Sequence, residues 1–156
     1  MSEAENAYKT STYYVNPTFT VKDGNVTDAD YEYYNENGMK IVNPTAENMR
    51  ADKQGGTGDF VGFTMRGFHF KDASGEKPSD GHVYTAKLYC AVAQTLFKPE
   101  QIPNFILSGD SKGLIIPIYK GTARGVILIF QIFQDERFVQ LVGSPDPEIG
   151  NSTNGD

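Results

Sequence analysis

Tryptophan is absent from this 156-residue chain, cysteine occurs once and histidine twice. A lone thiol, Cys90, cannot close an internal disulfide, so folding needs no oxidising compartment. No apolar run is long enough to cross a bilayer as a helix. The opening "MSEAENAYKTSTYY" lacks a cationic stretch followed by an apolar one. The expectation is a protein made in the cytoplasm without a signal peptide, with no membrane partner. The sequons at Asn25 and Asn151 are then chance matches. Positive charge is short as well: 14 Lys and Arg against 20 Asp and Glu leave a net charge of −6. That argues against duplex nucleic acid and anionic membranes, which need a cationic footprint.

Catalytic signatures are missing too. There is no HExxH, CxxC or GxSxG. Neither His69 nor His82 is followed two places on by Ser or Thr, as the paired His-x-Thr pattern of two-histidine phosphoesterases requires. "SGDSKG" (residues 108–113) holds the residue types of a phosphate loop in the wrong order, with no helix after it. Cys90 lies between Tyr89 and Ala91 in an apolar stretch, where a buried, inert thiol is expected. Asp72, Glu76 and Asp80 offer hard oxygen ligands, but without calcium-loop spacing. The sequence therefore predicts no enzyme, no cofactor and no metal.

What is present favours strands. Nine Tyr and ten Phe join many Val, Ile and Thr, punctuated by sixteen Gly and eight Pro. One short helix is predicted over residues 45–53, "TAENMRADK", with Thr45 as its N-cap. Residues 27–38 fit a second helix or a strand ending in a turn. "VNPT" occurs at Val15 and again at Val42, and reads as the same turn chemistry used twice, Asn before Pro being driven out of the α region. Residues 60–71, "FVGFTMRGFHFK", read as a long strand whose apolar face changes near Arg66-Gly67, which signals a bulge or bend. About eight short strands with turn signals between them predict an all-β fold. The expected form is a single antiparallel β-sandwich or jelly-roll-like domain, with a small Greek-key barrel as the alternative. Its predicted extent is residues 11–143, between a polar arm (1–10) and a flexible acidic tail (144–156).

The loudest segment is "GVILIFQIFQDERFVQLV". Val126, Leu128, Phe130 and Ile132 share one face of its first strand, and Ile127, Ile129 and Phe133 share the other. An antiparallel pair normally has one dry face and one wet one. Both faces here are apolar, so either the same chain or a neighbouring subunit must cover the second. The candidate interface is Ile127, Ile129, Phe133 and Leu141. Pro117 joins them, because a proline in "GLIIPIY" marks a strand edge.

"RGFHF" (residues 66–70) resembles the Arg-Gly-aromatic-x-aromatic core of RNA-recognition and cold-shock strands, over five of the 156 residues. His69 stands where that core has a small residue, and Lys71 where it has an apolar one. The resemblance implies stacking of bases on Phe68 and Phe70, with Arg66, Lys71, Lys87 and Tyr89 beside them. Two functional expectations follow. The first is a non-enzymatic structural protein of an assembly, such as a virion decoration, tail or fibre component, whose partners are itself or other structural subunits. The alternative is an OB-like module for single-stranded nucleic acid.

Overall fold

Alternation decides the first strand. In β1 (Ser11–Lys22) every odd-numbered residue from Ser11 to Val21 is buried, and none of the even-numbered ones is. This is the period-2 pattern of a strand with one face on a core. The structure, a computed structural model, describes residues 10–52, 60–96 and 104–151. Within them follow β2 (Asn25–Tyr34), β3 (Lys40–Ile41), β4 (Phe60–Met65), β5 (His69–Lys71), β6 (Tyr84–Thr95), β7 (Asn104–Leu107), β8 (Gly113–Pro117), β9 (Ala123–Gln134), β10 (Arg137–Gly143) and β11 (Glu148–Gly150). A front sheet runs β3-β2-β1-β4-β8, with β5 also on β1. A back sheet runs β10-β9-β6-β7, with β11 also on β9.

The inner faces of the two sheets meet over one core. Phe130 of the back sheet lies 5.9 Å from Phe19 and 5.7 Å from Tyr31 of the front sheet, ring centre to ring centre. The fold is all-β and β-sandwich-like, and no helix occurs among the described residues. Its sheets are mostly antiparallel, but β1 runs parallel to both β4 and β5.

The helix expected over residues 45–53 is a single turn. Thr45 O accepts from the N–H groups of Asn48 and Met49. Beyond it the backbone finds partners elsewhere. Tyr13 Oη accepts from Arg50 N at 2.7 Å and donates to Arg50 O at 2.9 Å. Ala51 N donates to Gly150 O, and Gly150 N to Met49 O. Met49 and Ala51 are fully buried. Tertiary pairing thus outcompetes local propensity. The approach is so close that a Cβ on Gly150 would sit 2.4 Å from Ala46 O. Residues 27–34 lie within β2 and are strand.

The two "VNPT" copies differ. The second is a turn, with Thr45 N bonded to Asn43 O. The first lies inside β1, where Pro17 faces Tyr31 of β2. Val15 O points the other way and accepts from Arg66 N. Pro17 has the same parity, so its missing N–H faces that side as well. There the neighbouring strand breaks. Val15 pairs with Met65 but Thr18 with His69, so four steps on one chain match three on the other. The extra residue is the expected bulge at Arg66-Gly67, and it turns Phe68 and Phe70 to the same side as Phe63 and Met65. A proline with no N–H to donate therefore sits where the neighbouring strand bulges and the ladder is interrupted.

Chain past residue 143, expected as a loose tail, is held as far as Asn151. β11 pairs with the start of β9. Ser144 Oγ bridges the gap between β10 and β11, accepting from Leu128 N and donating to Asp146 O. Among the described residues the fold therefore extends past residue 143, through Asn151. Residues 1–9 of the predicted arm, residues 152–156 of the predicted tail, and the loops at 53–59 and 97–103 lie outside the described residues.

The hairpin turn "QDER" works without glycine. Gln134 pairs with Arg137, and Asp135 and Glu136 take φ of 51° and 68°. Both lie in the left-handed region that suits a two-residue hairpin turn but favours glycine. Asp135 is anchored, its N–H donating to Val83 O and its carboxylate accepting from Val83 N. Glu136 has no such anchor among the described residues. Glu136→Gly is therefore expected to stabilise the domain by about 0.5–1 kcal/mol, read as a higher urea midpoint at unchanged slope.

Candidate functional site

Strand register defines the outer face of the back sheet. Inward go Leu88 and Ala91 of β6, Leu128 and Phe130 of β9, and Ile106 of β7. The alternate positions point outward and form cross-strand rows. Phe105, Val92 and Ile127 make one row; Leu107, Cys90 and Ile129 make the next. Leu141 lies beside Gln131, and Phe138 beside Phe133 with rings 6.0 Å apart. The first two rows cross β7, β6 and β9, and the last two pairs join β9 to β10. Exposure reaches 73% at Phe105, 66% at Leu107, 45% at Ile127 and 51% at Leu141.

Among its described residues this face carries acid only at its β11 end, where Glu148 pairs with Gly125 and borders a pocket with Val92, Ile127 and Asp146. Its one cation, Lys87, lies 4.8 Å from the centre of the Phe133 ring. Cys90 points to the same side but is 1% exposed, and burial pushes its thiol pKa up.

Of the predicted interface residues, Ile127, Ile129, Phe133 and Leu141 come together here. Pro117 does not. It ends β8 at the edge of the front sheet, opposite Phe60, with its carbonyl taking a hydrogen bond from Arg124. Phe105 and Leu107 are the largest exposures on the face, yet they escape sequence reasoning. "NFIL" alternates, but only its pairing with β6 shows which residues share a side with Ile127.

The six residues implied by the "RGFHF" resemblance do not converge. Arg66 lies on the outer face of the front sheet, its guanidinium 5.3 Å from the Tyr14 ring and 4.9 Å from that of Tyr34. Phe70 packs inward, 5.1 Å from Phe19 and stacked on Tyr84 at 5.4 Å. Phe68 meets Phe70 edge-on at 5.7 Å. Lys71 is half-buried at the end of β5. Lys87 lies on the back sheet's outer face, and Tyr89 is exposed at a bulge in β6.

A second feature is a cleft of about 470 Å³, lined by Phe68, Phe70 and Tyr84, with Lys77, His69 and His82 around it. Both histidines of the chain are in it. His82 Nδ1 is 2.6 Å from Asp135 Oδ2, and Tyr84 Oη donates to Asp80 Oδ2 at 2.5 Å. Burial, then the Asp80 carboxylate, push Tyr84 up to about 12. Its hydroxyl in turn holds Asp80 below the usual carboxylate range. The Val83 N–H and His82 do the same for Asp135. Among the described residues no cluster of three His, Cys, Asp or Glu is placed to hold a metal. No helix among them is long and apolar enough to cross a membrane.

In comparison with known proteins, no family model matches the chain and no curated protein matches it.

Proposed function

We propose that this protein is a non-enzymatic structural subunit that associates with a second copy of itself through the outer face of its back sheet. One observation carries the reading: large apolar side chains of β7, β9 and β10 stand exposed on one face, Phe105 and Ile127 in register through Val92 of β6, and no described residue of the chain covers them. A patch three strands wide that continues along β9 onto β10 measures about 10 Å by 20 Å, the scale at which exposed apolar surface marks an interaction site. Among the described residues the acid groups of this face are confined to its β11 end, at Glu148 and Asp146, although the chain carries a net charge of −6, and Lys87 is engaged with Phe133. Two copies can therefore stack face to face over the apolar rows with their acidic ends apart, and a two-fold axis needs only this one self-complementary patch. A building block of a virion, as a decoration, tail or fibre component, is the setting that this reading favours.

Sedimentation velocity on the full chain tests it. The wild type is expected to sediment as a dimer or larger species of the 17.2 kDa chain at about 100 μM, and Leu107→Lys with Ile127→Lys as a monomer of unchanged circular dichroism. A wild type that stays monomeric at that concentration removes the proposal. A parallel run with a single-stranded oligonucleotide at low salt addresses the alternative, which predicts binding that salt weakens.

A further inference from the structure

Two departures from regular structure and the start of a strand meet at one end of the sandwich. The bulge opposite Pro17 swings Phe68 and Phe70 inward. The left-handed turn at Asp135 and Glu136 holds His82 through the Asp135 carboxylate. Tyr84 begins β6 with its hydroxyl on Asp80. Bulges and strained turns collect where a side chain has to be aimed, and what these three border is the cleft of about 470 Å³. That volume falls within the range of sites for small molecules.

The chemistry of the lining selects the ligand. Phe68, Phe70 and Tyr84 give an aromatic wall. The nearby carboxylates are already engaged: Asp80 accepts from His82 N at 3.0 Å and from Tyr84 Oη, and Asp135 accepts from Val83 N at 2.9 Å and contacts His82 Nδ1. A hydroxyl-rich sugar would find few free acceptors here. Two nitrogens remain open. Lys77 has no ion pair or hydrogen bond among the described residues, and only Nδ1 of the His82 ring is engaged. A flat apolar ring therefore finds a wall to lie on, and a single negative charge finds a cation with no partner.

We propose that this cleft binds a small aromatic carboxylate, with its ring against Phe68, Phe70 and Tyr84 and its carboxylate toward Lys77 and His82. The site is separate from the docking face and stands whether or not the chain self-associates.

Amide chemical shifts of the nitrogen-15-labelled full chain, titrated with phenylacetate, test it. Saturable shifts are expected at Phe68, His69, Phe70 and His82–Tyr84, with a dissociation constant of about 0.1–1 mM. Benzyl alcohol keeps the ring but not the charge and is expected to bind about fivefold more weakly, and Lys77→Gln to weaken phenylacetate by about the same factor while leaving benzyl alcohol unaffected. Lys77 lies in an exposed loop, so this variant tests the contact and not the fold. Glucuronate has the charge without the flat ring and is expected to bind more weakly than phenylacetate. No saturable shift at these amides, equal affinity for phenylacetate and benzyl alcohol, or tighter binding of glucuronate would each overturn the assignment.

Discussion

Phe130→Ala is expected to lower the free energy of unfolding by about 3–5 kcal/mol, and Ile127→Ala, three residues earlier in the same strand, by less than about 1 kcal/mol for the isolated chain. The two residues sit on opposite faces of β9. Phe130 is fully buried, stacks on Tyr31 and meets Phe19 edge-on, and its strand neighbours are Leu88 and Val142. Truncating it leaves a ring-sized void between two sheets that are tied laterally by ladder hydrogen bonds and cannot readily close up. Ile127 loses area already half in water. A domain of this kind is stable by about 5–15 kcal/mol in all, so the first variant forfeits a large part of the total. Urea unfolding monitored by tyrosine fluorescence below the association threshold reads both. Equal losses at the two sites would mean that the outer face is covered within the chain itself.

That contrast marks how far the sequence reaches. Val126, Leu128, Phe130 and Ile132 were legible as one face, and Ile127, Ile129 and Phe133 as the other, because strand parity is local information. The bulge at Arg66-Gly67 was legible because the apolar parity switches there. What covers a face is not local. Nothing in "NFIL" says that Phe105 stands beside Val92, since that depends on a hairpin closing across residues 94–104. The lost helix at residues 45–53 fails for the same reason. The partner of the Arg50 backbone is the hydroxyl of Tyr13, 37 positions away in sequence. Pro17 misled because proline usually ends a strand, and here the adjacent strand yields instead. The cleft was invisible for a related reason: Phe68, Lys77, His82 and Asp135 are each unremarkable in their own stretch and converge only through the turn and the bulge.

Arg124 is the other position where a large effect is expected, and it was not singled out by any sequence signal. It shares the inward parity of Val126 and Leu128 and is 6% exposed. Its guanidinium donates to Pro117 O at 2.8 Å, to Ala93 O at 2.9 Å and to Asn104 Oδ1 at 2.5 Å. One side chain thereby joins β8 of the front sheet to β6 and β7 of the back sheet. Burial pulls its pKa below the usual arginine value. Its Nε lacks a partner among the described residues. Two opposed terms follow. Removing the guanidinium relieves a desolvated charge, and it strands three acceptors near the core. Buried cations are dispensable when an apolar side chain replaces the whole constellation. Here the acceptors are two backbone carbonyls and Asn104, and the carbonyls cannot be mutated away, so the second term dominates. Arg124→Met, which keeps length and apolar bulk, is expected to cost about 2–4 kcal/mol, with Arg124→Lys intermediate because one ammonium cannot span all three acceptors. The loss should appear as a lower urea midpoint at unchanged slope. Arg124→Met as stable as the wild type would mean that the relief of desolvation offsets all three hydrogen bonds, and that the two sheets need no polar staple at this end.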